Sequence, residues 1–270
     1  MKKEIKEVDE KRKIVRITTA DERWYLKEIE NKEGLPEYKA VPSVTWICDS
    51  YPKGIGFYKW LADKGWDEAQ AIKESAGGRG SKVHNAISAI ICGEEVRIDS
   101  EFSDSKGKVS ELTGEEIDAV LSFINWNNKV KPRWIAWDQV IFSSIHNFAG
   151  TFDAIAEIDG VFWLIDFKTS QQVWASHHLQ VSSYREAIMN GENKIEGIDG
   201  DLKLAVLQVG YRLNKNNWKW TEIENKFELF KAAQLIWKNE RATEKSMKGF
   251  SQKEYPIILS EKITTTTNKK

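Results

Sequence analysis

The chain has 270 residues, with 40 Lys and Arg against 41 Asp and Glu and a formal charge of -1. That length suits one large domain with ample core, and the balanced charge excludes a general electrostatic pull on nucleic acid, so any basic footprint must be local. Only Cys48 and Cys92 are present, which supports neither a disulfide framework nor a cysteine-held iron–sulfur cluster; a reducing, cytoplasmic setting is expected.

The start, "MKKEIKEVDEKRK", is charged and lacks the apolar core of a secretory signal, and no run of about 18 apolar residues follows that would cross a membrane. "KIVRITT" and "RWYLKEI" read as two short strands around a turn at Ala20-Asp21-Glu22, an N-terminal hairpin over 12–40. Short helices are expected near Phe57–Lys64 and over Asp67–Ser75. In "GGRGSKVHNAISAIICGEE", Val83, Ile87 and Ile90 recur at helical spacing, so Ser81 is expected to cap a new helix that ends at Gly93. Arg79 and Lys82 would then stand at a helix N-terminus, able to meet a phosphate, though a solvated loop explains them equally well.

Residues 98–108 are polar and read as a loop, followed by a helix over Gly114–Asn128 capped by Thr113. Three strand-like runs then lie between "WIAWDQV" and "VFWLIDFKTS", with turns at His146–Asn147 and Asp159-Gly160; Asp-Gly between apolar runs is a hairpin signal. A helix over Ser176–Met189, a hairpin turning at Asn214–Asn217 and a last helix over Ile223–Met247 complete the order, before a tail at 261–270 that is expected to be disordered. The pattern predicts an α/β chain with a mixed central sheet flanked by helices, a single domain over 1–260 with its core at about 40–250.

"VFWLIDFKTS" carries the chemistry. Asp166 and Lys168 point to one side of an apolar strand, and burying both is costly unless they are paired or hold a metal. A hairpin centred on Asp159-Gly160 places Asp153 of the preceding strand opposite Asp166. Two facing carboxylates repel unless a cation sits between them, and hard oxygen ligands suit Mg²⁺ or Mn²⁺. A structural Asp–Lys ion pair is the competing reading.

The set Asp153, then Asp166-Phe167-Lys168, resembles the PD-(D/E)XK nuclease superfamily. "GRGSKVH" is similar to the Gly-x-x-x-His helix of its RecB-like exonuclease branch, "GTFD" to the Gly-Thr-x-Asp strand and "HLQVSSYREA" to the Gln-x-x-x-Tyr helix. Together with "VPSVTWICDSYPK", these pieces resemble a subgroup holding phage exonucleases and the mitochondrial genome maintenance exonuclease, over about residues 40–212.

The resemblance implies a restriction-endonuclease-like core and a metal held by Asp153, Asp166, His84 and the Phe167 carbonyl. It further implies Lys168 as the residue that activates water, and Gln180 and Tyr184 as groups that touch DNA. Many relatives carry a Glu on the strand before Gly-Thr-x-Asp; the nearest candidate is Asp138, kept as a possible site residue. The implied activity is metal-dependent hydrolysis of DNA from single-stranded ends, in repair, replication or recombination. The alternatives are a structure-specific endonuclease of the same fold, a non-catalytic DNA-binding accessory protein, or an α/β domain whose charges are plain ion pairs.

Overall fold

The computed structural model describes residues 4–18, 22–243 and 254–256; the tail at 261–270 and the end of the last helix, 244–247, lie outside them. The chain opens with an antiparallel meander of β1 (Glu4–Asp9), β2 (Ile14–Thr18), β3 (Arg23–Glu30) and β4 (Pro36–Pro42). Three helices follow: α1 (Val44–Asp49), whose first turn Ser43 caps by accepting the Trp46 N–H, then α2 (Ile55–Lys64) and α3 (Trp66–Cys92).

A small hairpin of β5 (Glu101–Ser103) and β6 (Val109–Glu111) occupies the stretch expected to be a loop. Its strands are only three residues long, too short for an apolar alternation to announce them. Helix α4 (Gly114–Val130) starts at the expected cap: Thr113 Oγ1 accepts the Glu116 N–H and Glu116 answers by accepting the Thr113 N–H.

The remaining elements are β7 (Arg133–Ser143), β8 (Phe148–Ile158), β9 (Val161–Lys168), α5 (Ala175–Met189), β10 (Leu202–Val209), β11 (Trp218–Ile223), α6 (Phe227–Thr243) and β12 (Glu254–Pro256). Their main sheet has the order β11-β10-β9-β8-β7, with β9 and β10 parallel through the α5 crossover and the other neighbours antiparallel. This is the expected mixed sheet flanked by helices. Strand β12 joins the N-terminal sheet beside β4.

The Asp159-Gly160 turn has φ of 51° and 76°, the two positive values that an Asp-Gly hairpin supplies cheaply. It pairs Ile158 with Val161 and Ala154 with Ile165, the register the sequence predicts. As a central strand, β9 is buried on both sides. Leu164 joins the core beneath α1, α5 and α6, while Trp163, Ile165 and Phe167 join the core beneath α3 and α4. Trp24 of β3, Trp46 of α1 and Trp237 of α6 meet edge to face, with ring centroids 5.0 to 6.0 Å apart, and tie the N-terminal sheet to the last helix.

Two helix boundaries differ from expectation. Helix α3 runs unbroken through Gly77, Gly78 and Gly80 and absorbs both helices expected there. Each glycine costs a helix only about 1 kcal/mol against Ala, and at Gly80 α3 passes the end of β9, where a Cβ would make ordinary contact with Thr169 Oγ1 at 3.7 Å. Ser81 is therefore no cap; its hydroxyl donates to the Gly77 carbonyl one turn back. Ile223, expected on the last helix, ends β11 instead, and α6 buries Phe227, Phe230, Ala233 and Trp237.

Candidate active site

Strand β9 ends in the sequence Asp166-Phe167-Lys168 at one end of the main sheet. Asp166 is buried, and Lys168 Nζ lies 2.7 Å from its Oδ1 and 2.6 Å from its Oδ2. On β8, Asp153 Oδ2 accepts the Phe167 N–H at 2.7 Å, so the neighbouring strand's backbone fixes that carboxylate. From α3, His84 Nε2 approaches Asp153 Oδ1 at 3.1 Å and Asp138 Oδ1 at 3.4 Å.

Asp138 stands level with Asp153, because Trp137 pairs with Ala154 and Gln139 with Phe152. Its φ of 49° is a left-handed value inside a strand, a conformation that Asp tolerates better than most residues. Three aspartates thus sit in line across β7, β8 and β9, with an imidazole over two of them.

The electrostatics follow from burial and proximity. Burial raises the Asp166 carboxyl, the Lys168 ammonium opposes it and Asp153 adds to it, leaving its pKa at about 6. Burial likewise works against the charge on Asp153, but His84 and then Lys168 outweigh it and hold that carboxyl low. For His84 burial favours the neutral ring, yet Asp153 and Asp138 win and keep the imidazolium up to about 9. Lys168 is raised despite burial, held charged by Asp166 and Asp153.

Among the described residues no group of three or more His, Cys, Asp or Glu side chains is gathered at metal-binding geometry. The donor set nevertheless fits a hard divalent cation: His84 Nε2 and Asp166 Oδ2 are buried and make no hydrogen bond of ordinary geometry. His84 and Lys168 now pair with the carboxylates that a cation would take.

His84, Asp153, Phe167 and Lys168 line a cleft of about 600 Å³. Gln180 and Tyr184, one turn apart on α5, line it, with Gln180 Nε2 donating to the Tyr184 hydroxyl at 3.1 Å. Tyr184 is buried, and its ring reaches to the Gly150 backbone. His177, also of the cleft, accepts the Trp174 N–H through Nδ1 and so caps α5; burial, then Lys168, push it down to about 3.

Two residues expected to bind DNA are engaged elsewhere. Lys82 is 6% exposed and paired with Glu116 at 2.8 Å, and it donates to the Glu111 carbonyl. Arg79 bonds Glu115 across to α4 at 3.0 Å. With α3 continuous there is no helix N-terminus at this point, and neither residue lines the cleft.

The sequence reading missed Arg16, Arg23 and Tyr25 of the N-terminal sheet and Lys73 of α3, all of which line the cleft. Strand alternation puts Arg16 on one face of β2, but no local signal says that this face meets the catalytic strands. The family model of the PD-(D/E)XK nuclease superfamily matches residues 58–260. Its nucleases cleave DNA and generally use divalent metals such as Mg²⁺. No curated protein matches the chain.

Proposed function

The chain belongs to the PD-(D/E)XK nuclease superfamily, and from that premise we propose that it is a DNA exonuclease that hydrolyses phosphodiester bonds from single-stranded ends. The observation that carries the reading is the meeting of Asp153, Lys168 and His84 at one cleft, with the buried Asp166 paired to Lys168. At about 600 Å³ the cleft falls in the range of small-ligand pockets, which suits a nucleotide or two of a single strand better than a duplex.

In this reading Asp153, Asp166 and His84, with the Phe167 carbonyl, hold Mg²⁺ or Mn²⁺, and Asp138 supports His84. A bound divalent cation supplies charge for the phosphoryl oxygens and acidifies water. Lys168 orients the attacking water, whose oxygen bonds to phosphorus as the phosphorus–oxygen bond to the leaving nucleotide breaks; the water gives up its proton to solvent and the leaving oxygen takes one from solvent. Gln180 and Tyr184 position the strand. A role in repair, replication or recombination within the cell is consistent with this chemistry, and residues 1–260 are read as one nuclease domain.

The test is an end-labelled linear single strand with Mg²⁺ or Mn²⁺, beside a circular single strand, Asp166→Ala and EDTA. Stepwise loss of the linear substrate alone, abolished by the variant and by EDTA, is expected. Cleavage of the circle would make the enzyme an endonuclease. Binding without cleavage under every metal would leave an accessory DNA-binding protein.

A further inference from the structure

We propose that the β2–β3 hairpin, which lies outside the matched region, is a phosphate clamp for the strand that enters the catalytic cleft, with Arg16 and Arg23 as its contacts. Residues two apart share a strand face, and β2 pairs with β3 through Arg16↔Tyr25 and Thr18↔Arg23. Arg16 and Arg23 therefore stand on one face of one hairpin, and both line the cleft that holds Asp153, Lys168 and His84.

Two guanidinium groups on one sheet face repel each other, and a fold ordinarily places an acid between them. Among the described residues neither has a carboxylate partner, and Arg16 Nε is buried with no hydrogen-bond partner at all. A buried, unsatisfied guanidinium N–H is costly, and an anionic oxygen is the acceptor that would satisfy it most strongly.

The opposite need comes from the floor. Asp153 and the adjacent Asp166 repel a polynucleotide, and the chain as a whole carries only -1, so it offers no general attraction. The compensating charge has to be local, and the hairpin supplies it on one wall while Lys73 of α3 supplies it on the other. Arg79 and Lys82, neutralised by Glu115 and Glu116, do not. The contacts assigned are to backbone phosphates flanking the one that is cut, which hold a strand in register without reading its sequence.

This clamp rests on the nuclease reading above, and binding without cleavage separates the two. A fluorescent oligothymidylate strand is titrated in EDTA, at several salt concentrations, with wild type, R16Q/R23Q, R16K/R23K, K73Q and the remote K231Q, each first shown to unfold cooperatively. R16Q/R23Q is expected to bind about tenfold or more weakly. Its slope of log Kd against log salt should fall by about 1.4, two single-strand contacts at about 0.7 each.

R16K/R23K should recover most of that slope, K73Q should lose about 0.7 and K231Q should match wild type. Wild-type affinity and slope in R16Q/R23Q would overturn the clamp while leaving the nuclease intact. A wild-type protein that neither binds nor cuts the strand would overturn both.

Discussion

The ring of Tyr184 fills the space where a side chain at position 150 would begin: a Cβ built on Gly150 would lie 2.6 Å from Tyr184 Cε1 and 3.1 Å from its hydroxyl oxygen. Gly150 opens the Gly-Thr-x-Asp strand and Tyr184 closes the Gln-x-x-x-Tyr helix. The two motifs occur together in this chain because one leaves the room that the other occupies, and their contact seats α5 against the strand that carries Asp153.

Gly150→Ala should therefore displace the Tyr184 ring. A loss of about 1–3 kcal/mol is expected, read from the urea midpoint at unchanged m-value, with a drop in cleavage rate larger than in strand affinity. Adding Tyr184→Ala should restore part of the stability, and strict additivity of the two losses would show that the contact carries no energy.

Lys168, half-buried at the cleft, pairs with the buried Asp166, and removing it leaves that carboxylate uncompensated. Lys168→Met is expected to cost about 3–5 kcal/mol, to abolish cleavage and to retain a rise in melting temperature with Mn²⁺. Lys168→Met with Asp166→Asn should recover much of the stability and none of the cleavage. Normal turnover in Lys168→Met would remove that residue from the mechanism.

Lys82 is buried against Glu116 and does not line the cleft. It joins α3 to the capping box of α4 through Glu116, so Lys82→Met should cost about 3 kcal/mol and leave the salt dependence of strand binding unchanged below its melting temperature. A reduced salt slope would return Lys82 to the DNA contacts.

His177 is held neutral in the folded protein to about pH 3, whereas the unfolded chain takes up a proton near 6.5. The folded pKa is depressed, so the contribution is fully present above 6.5 and declines as pH falls toward 3. The slope is about 1.4 kcal/mol per pH unit for one proton. Urea midpoints measured between pH 7 and 4.5 should fall less steeply in His177→Asn than in wild type; parallel profiles would contradict the assignment.

What could be read from the sequence was local or paired at short range. The Asp159-Gly160 turn, the three strands around it, the Thr113 cap and the facing of Asp153 on Asp166 all follow from alternation and turn chemistry within about 35 residues. The continuity of α3 did not, because Gly77, Gly78 and Gly80 read as a break although together they cost a helix only a few kcal/mol, about 1 each. The engagement of Arg79 and Lys82 by α4, and the arrival of Arg16 and Arg23 at the cleft, are tertiary events between segments far apart in the chain. Asp138 lay between these cases: its strand was legible, but its φ and its approach to His84 were not.

The two ends of the described chain are stitched together. Glu254 pairs with Lys39 and Pro256 with Glu37, and Trp24 meets Trp237 at 6.0 Å. The region shared with the superfamily begins at residue 58, yet Trp24, Leu26 and Val44 lie in the same core cluster as Phe148 and Phe230. The boundary of shared ancestry is thus not the boundary of cooperative folding. A protein trimmed to the matched region would expose that core, lose the strand that receives β12 and leave the cleft beside Asp153 without the wall that Arg16, Arg23 and Tyr25 supply.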